Sequence, residues 1–312
     1  MRVFQNRTRE QKIRLLLLLL LLGASISLFL FTPVESEKSL FQNVMAGFDD
    51  RPVQRILFIG NSRTYVNNLP KMVEQMGNAS KSPFRYEVAM HALGGHTFED
   101  HHQNGAVHQL LEQPWDYVVL QGGSPENTNP GSSESFAKHG AELVALVQKS
   151  NSQPVFLVAW AYDKDAYDSE NEIYLKPYYL EYAADYQAYV NKHQQPPADR
   201  PAPETFFPLN LEKHDAFIQH DYSTLAAQTQ TPMVNVGEAF QHVLNSPLHF
   251  KKLTSDGNHP NLQGTYLGAV MFHVCFSKMP ASSIQYTPSG LSENDAKAIR
   301  LFIDLTYPNG TC

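Results

Sequence analysis

The sequence predicts an α/β protein, a three-layer α/β/α sandwich around a mostly parallel, five-stranded sheet. Three observations carry that expectation. Short apolar runs near 55–59, 85–90, 117–121, 155–160 and 233–236 are bounded by polar or turn residues, as strands buried on both faces are. Stretches with apolar residues at helical spacing lie near 69–77, 134–149, 214–229, 261–277 and 292–305. Their alternation requires crossover connections, which are right-handed and lay strands parallel. Nothing repeats internally.

Ahead of the first strand, Arg2, Arg7, Arg9, Lys12 and Arg14 precede Leu15–Phe31, seventeen uncharged residues that begin with eight leucines. Such a segment is a signal peptide or an uncleaved anchor held with its N-terminus inside. The long basic stretch, and the continuation Leu28–Phe31 past Ser25-Ile-Ser27, favour the anchor, although seventeen residues is short for a span. No cysteine follows, so a lipoprotein anchor is not indicated. The expected organisation is a signal segment at 1–34, a polar spacer at 35–52 and a folded domain at 53–312. That domain is exported, and is periplasmic or secreted if the segment is cleaved.

With 18 % charged and 42 % hydrophobic residues, the chain can bury a sizeable core. Its net charge is −7; the first 31 residues carry +4, leaving −11 for the rest. That balance argues against binding a phosphate backbone, so nucleic acid is not an expected partner.

The first strand, Ile56–Ile59, runs straight into Gly60-Asn61-Ser62. Glycine permits a sharp turn at the strand's carboxyl end, where ligands bind in open α/β sheets. Ser62 then falls at or near a helix N-terminus, which favours developing negative charge. After the second strand comes Ala92-Leu-Gly-Gly95, and after the third, Gln121-Gly-Gly-Ser124-Pro-Glu-Asn127. Near the other end, Asp256-Gly-Asn-His259-Pro260 puts an acid three residues before a histidine, with Pro260 fitted to a helix's first turn. Ser62, His259 and Asp256 together supply the hydroxyl, base and orienting carboxylate of nucleophilic acyl transfer. Either segment alone is an ordinary turn or loop pair; their co-occurrence, each in the right setting, is what carries the signal.

These segments resemble the blocks of the SGNH/GDSL hydrolase superfamily. The first reads Phe58-Ile-Gly-Asn-Ser-Arg-Thr-Tyr65, with Asn61 where the family usually has Asp, and the last reads Asp256-Gly-Asn-His-Pro-Asn-Leu-Gln-Gly-Thr-Tyr-Leu267. Gly94 and Gly95 stand where the family's second block donates a backbone N–H to the oxyanion. The third block departs from the family's Gly-x-Asn-Asp, and Gln121 or Asn127 is left to supply its donor. The chain looks most like a bacterial SGNH-like branch with a glutamine after this strand and a segment like Val236-Gly-Glu-Ala239. The resemblance covers about Gln54 to Ser277, minus an internal insertion, and implies a flavodoxin-like sandwich, a catalytic Ser62, His259 and Asp256, an oxyanion hole of Ser62, Gly94, Gly95 and Gln121, and no cofactor.

The implied function is a serine esterase removing an acyl group, acetyl by preference, from an extracytoplasmic saccharide or similar ester. An O-acyltransferase using the same triad and a non-catalytic binding module are the alternatives. The insertion at 163–211, rich in tyrosine and then proline, reads as a lid or aromatic platform, or equally as a helix packed onto the domain by its tyrosines. Cys275 and Cys312 can pair in an oxidising compartment or remain separate. His91, His96, His101, His102 and His108 lie beside Glu99 and Asp100, but their spacing fits no closed metal site, so no metal is expected.

Overall fold

The computed structural model describes residues 49–79, 81–123, 130–163, 176–198, 201–205 and 210–312. Strands β1 (Val53–Gly60), β2 (Arg85–Ala92), β3 (Tyr117–Leu120), β4 (Gln153–Val158) and β5 (Met233–Asn235) form one sheet in the order β2-β1-β3-β4-β5. Every pairing is parallel, in registers such as Gly60↔Ala92, Ile59↔Leu120, Leu120↔Phe156 and Val158↔Asn235. All the carboxyl ends therefore share one edge. The connections leave β1 and β3 in opposite directions across the sheet, so the crevice between them is the topological switch point.

The period of two in the strands divides the core. Ile56 and Phe58, with Val119, Val155, Leu157 and Val234, face one layer of helices: α2 (Leu69–Ala79), α8 (Val236–Leu244), α9 (Leu262–Ser277) and α10 (Glu293–Thr306). Leu57 and Ile59, with Val118, Leu120, Phe156 and Val158, face the other: α3 (Phe98–Gln103), α4 (Gly105–Leu111), α5 (Pro130–Lys149) and α7 (Leu211–Thr229). Helix α9 is buried along its whole length from Gly264 to Ser277, which explains why it is apolar all round. Its Cys275 forms a disulfide with Cys312, Cα atoms 5.4 Å apart, and so ties the chain's last residue to the core.

Several boundaries differ from the sequence expectation for local reasons. Val236 begins α8 instead of ending β5, because the Asn235 side chain accepts from the Glu238 N–H at 3.0 Å and caps a helix there. Pro260 lies outside α9, bridged to Thr254, and Asn261 is the cap, its side chain accepting from Gly264 N–H at 2.9 Å. Helices α3 and α4 are additions to the expected set; α3 opens on a reciprocal capping box between Thr97 and Asp100. Within the insertion, α6 (Lys176–His193) carries Tyr182, which is buried and donates to the Pro201 carbonyl at 2.9 Å. At that position the tyrosine packs the insertion onto itself.

Among the described residues no helix is long and apolar enough to cross a membrane. Leu15–Phe31, expected to form one, lies outside the described residues, as do Asn127 and much of the 163–211 insertion.

Candidate active site

The site is built at the carboxyl edge of the sheet from two loops about two hundred residues apart in sequence. The first is the turn leaving β1. Asn61, extended at φ −131°, caps the single helical turn α1 (Ser62–Tyr65), and its side-chain oxygen accepts from Arg63 N–H at 3.1 Å. The chain can turn there because residue 60 is glycine: a Cβ would lie 2.5 Å from Thr64 Oγ1 and 2.8 Å from Gln121 Oε1. Ser62 is left partly exposed while Asn61, Arg63 and Thr64 are buried beneath it.

The second loop runs from Thr254 to Pro260. One Asp256 oxygen accepts from the Asn258 and His259 N–H groups at 3.0 and 2.7 Å, which folds the loop around the acid. The other accepts from His259 Nδ1 at 2.6 Å. His259 Nε2 then lies 2.9 Å from Ser62 Oγ. The structure thus brings Ser62, His259 and Asp256 into one hydrogen-bonded line. Burial would raise the Asp256 carboxyl, but the ring and backbone donors of His259 and Asn258 outweigh it and hold the group below the usual aspartate value. Asp256 is consequently an anion at neutral pH and selects the tautomer in which Nδ1 carries the proton and Nε2 can accept one.

A set of residues that the sequence did not single out holds the two loops together. Arg63, buried beside Ser62, donates from Nε to Asn258 Oδ1 at 2.9 Å and from Nη1 to the Trp160 carbonyl, with its guanidinium over the Trp160 and Tyr162 rings. Trp160 Nε1 donates to the Asn258 carbonyl at 2.8 Å. Thr254 donates to the Asp163 carboxylate, and Asp163 N–H to the Gly257 carbonyl at 2.7 Å. Asn67 donates to the Pro260 carbonyl at 2.9 Å. Only an arginine directly after the serine, in otherwise neutral surroundings, hinted at this from sequence.

The expected oxyanion donors fare unevenly. Gly94 and Gly95 turn the chain just past β2, next to β1, where Leu93 N–H donates to the Gly60 carbonyl at 3.1 Å and Asn61 Nδ2 reaches His96 O at 3.1 Å. Gln121, expected as a further donor, lies beneath the turn. It is fully buried; its Oε1 accepts from Asn61 N–H at 3.0 Å and from the Thr64 hydroxyl at 2.9 Å, and its Nε2 donates to the Gly122 carbonyl. The amide is committed to the backbone beneath the nucleophile turn, because β3 ends one residue before it and directs its side chain under β1's exit. Asn127, the other expected donor, lies outside the described residues.

The five histidines separate. His101, fully buried, donates from Nε2 to the Gly60 carbonyl at 3.0 Å and is flanked by the His91 and His96 rings at 5.8 and 5.4 Å. Burial drives its pKa down to about 4, so it stands neutral beneath the turn. His102 and His108 turn instead toward each other, and His102 also toward His139 on α5.

No family model matches the sequence, and comparison with curated proteins finds no match. Solved structures do match. A candidate SGNH hydrolase from Slackia heliotrinireducens is 21% identical, with TM-score 0.52, over 73% of this chain and 100% of its own. A DUF4886 family protein from Bacteroides uniformis is 18% identical, with TM-score 0.58, over 83% of this chain and 97% of its own. The five-stranded parallel sheet, its two helical layers and these likenesses together show that the chain has the fold of the SGNH/GDSL hydrolase superfamily.

Proposed function

We propose that this protein is a serine esterase that removes an acyl group, acetyl by preference, from an extracytoplasmic saccharide ester through an acyl-enzyme. The observation that carries this reading is the unbroken line Ser62 Oγ–His259 Nε2 at 2.9 Å and His259 Nδ1–Asp256 Oδ2 at 2.6 Å. In this mechanism Ser62 attacks the ester carbonyl as His259 Nε2 takes its proton. The oxyanion accepts hydrogen bonds from the Ser62 N–H and from an N–H of Gly94 or Gly95. His259 returns the proton to the leaving alcohol, then deprotonates the water that releases the acyl group. Asp256 stays ionised throughout and stabilises the imidazolium. The histidine is partly exposed and the aspartate half exposed, an arrangement that admits water as the acyl acceptor.

The test is hydrolysis of p-nitrophenyl acetate and of an acetylated xylo- or gluco-oligosaccharide by the wild type and by Ser62→Ala. Turnover should fall at least ~10³-fold in the variant, since triad members act as a unit. Hydrolysis that survives the substitution would remove the assignment.

The same reading places the enzyme outside the cytoplasm, held in a membrane by Leu15–Phe31 with its N-terminus inside. The basic-then-apolar sequence supports this, and so does the Cys275–Cys312 pair, since such bonds persist in oxidising compartments. N-terminal sequencing of the exported protein tests the anchor: an intact Met1 is expected, and a mature chain starting near Leu28 would exclude it.

A further inference from the structure

One residue beyond His101, His102 on α3 projects to α5, where His139 and Glu142 stand one turn apart. His102 Nδ1 lies 3.3 Å from Glu142 Oε2, and His139 Nδ1 lies 2.9 Å from the same oxygen. One ligand atom from each of the three residues falls within 4.8 Å of the others, the one such grouping among the described residues. We infer that His102, His139 and Glu142 form a binding site for a single zinc-class divalent cation, which joins α3 to α5.

Three features point to a cation in preference to an ordinary ion pair. His139 is only 8 % exposed, and neither its Nδ1 nor Glu142 Oε2 makes a hydrogen bond despite their 2.9 Å approach. Two buried polar atoms converge at ion-pair distance without the geometry of a hydrogen bond. Ligand atoms at about 2.0–2.2 Å from a tetrahedral ion stand about 3.3–3.6 Å from one another, and the His102 Nδ1–Glu142 Oε2 separation of 3.3 Å falls there, with the His139 Nδ1–Glu142 Oε2 separation of 2.9 Å somewhat shorter. An outer carboxylate also stands near, beyond hydrogen-bond distance. His139 Nε2 faces Glu99 Oε1 at 3.7 Å, and that carboxylate is itself held by Gln103 at 3.1 Å and Ser135 at 3.2 Å. A carboxylate behind a ligating imidazole fixes the ring and raises its basicity. Two imidazoles and a carboxylate suit zinc, with the fourth position left to water.

The site was illegible in the sequence because only one of its ligands lies in the histidine-rich run. The other two come from a helix some forty residues later. Its place in the fold suggests its effect: the neighbouring His101 supports Gly60 at the base of the nucleophile turn, so a bound ion would stiffen the helix carrying that support.

The probes are Co²⁺ and Zn²⁺, added to the full chain in mild detergent after removal of metal by a chelator. One equivalent of Co²⁺ should give the visible absorption of a four-coordinate ion, displaced by one equivalent of Zn²⁺. Zinc at a hundredfold excess over its Kd should raise Tm by about 5–10 °C. His102→Asn and Glu142→Gln should each abolish the absorption and the Tm rise, and Glu99→Gln should weaken binding by about 10–100-fold. Failure of the wild type to take up one equivalent would overturn the site, as would binding undiminished in both His102→Asn and Glu142→Gln. Because the readouts are absorbance and Tm, a finding that the protein lacks esterase activity would leave this inference standing.

Discussion

Replacing Gln121 with leucine separates a buried strut from an oxyanion donor. The substitution keeps the volume of a fully buried side chain, so little cavity is created. It removes the acceptor of the Asn61 N–H and of the Thr64 hydroxyl, 3.0 and 2.9 Å away, and the donor to the Gly122 carbonyl. The carbonyl retains Asn61 Nδ2 at 3.2 Å, and a buried hydroxyl can rotate to seek another acceptor. The Asn61 N–H cannot. An orphaned buried donor costs about 1–3 kcal/mol, and the weakened hydroxyl bond adds about 1 kcal/mol. A loss near 3 kcal/mol is expected, which in a domain of this size lowers Tm by about 6–12 °C. Urea unfolding followed by circular dichroism gives the stability, and ester hydrolysis well below Tm gives kcat on the same preparation. If stability were unchanged while kcat fell ~10²–10³-fold, the pattern of a lost transition-state donor, Gln121 would be an oxyanion residue and the strut reading would be wrong.

Asn61→Asp should destabilise the protein by about 2–4 kcal/mol at pH 8, because Asn61 Nδ2 donates to two carbonyls, His96 O at 3.1 Å and Gly122 O at 3.2 Å, where a carboxylate would oppose acceptor to acceptor. The buried acid would bind its proton more tightly than in the unfolded chain, so its penalty relative to wild type should shrink as pH is lowered toward 5; a penalty that grows on acidification contradicts the geometry. In the wild type, burial lowers the folded pKa of both His101 and His273 to about 4, so between about pH 6.5 and 4 the unfolded chain binds the extra protons. Stability should fall through that window by up to about 3 kcal/mol for each histidine, and a flat urea-midpoint profile from pH 7 to 4 would refute it.

The fold was legible where one physical signal dominated. β1, β3 and β4 are short apolar runs because both faces are covered, and α9 was visible as an apolar helix after a turn. The Ser62, His259 and Asp256 positions were legible because each sits in a turn whose chemistry is local: Gly60 for the bend, Asp256 folding its own loop through two backbone N–H groups. The side chains that join distant turns were not legible. Arg63 to Asn258, Thr254 to Asp163 and His139 to His102 are pairings that only the folded chain creates. The direction of the Gln121 amide was not legible either: its position after β3 was, but strand position alone does not say whether an amide faces the cleft or the backbone beneath it. Thr97-x-x-Asp100 was a readable capping box, and the helix it opens was overlooked among its histidines.

The two halves of the site are held in different ways. The serine side is fixed from below by buried, neutral groups: Gln121 and His101 take the Asn61 N–H and the Gly60 carbonyl, and the Asn61 amide spans two neighbouring loops. The histidine side is an exposed loop held from its flanks by Arg63, Trp160, Asn67 and Asp163. The one anion bonded to the His259 ring is the Asp256 carboxylate at Nδ1, so in the proposed mechanism an imidazolium would meet its counter-ion there. Arg63 belongs to both halves, since it follows Ser62 in the chain and grips Asn258 beside His259. Lysine there would keep the charge but lose the planar fork that reaches Asn258 Oδ1 and the Trp160 carbonyl together. The arginine therefore ties the Ser62 turn to the His259 loop, while the residues beneath each loop brace the two separately.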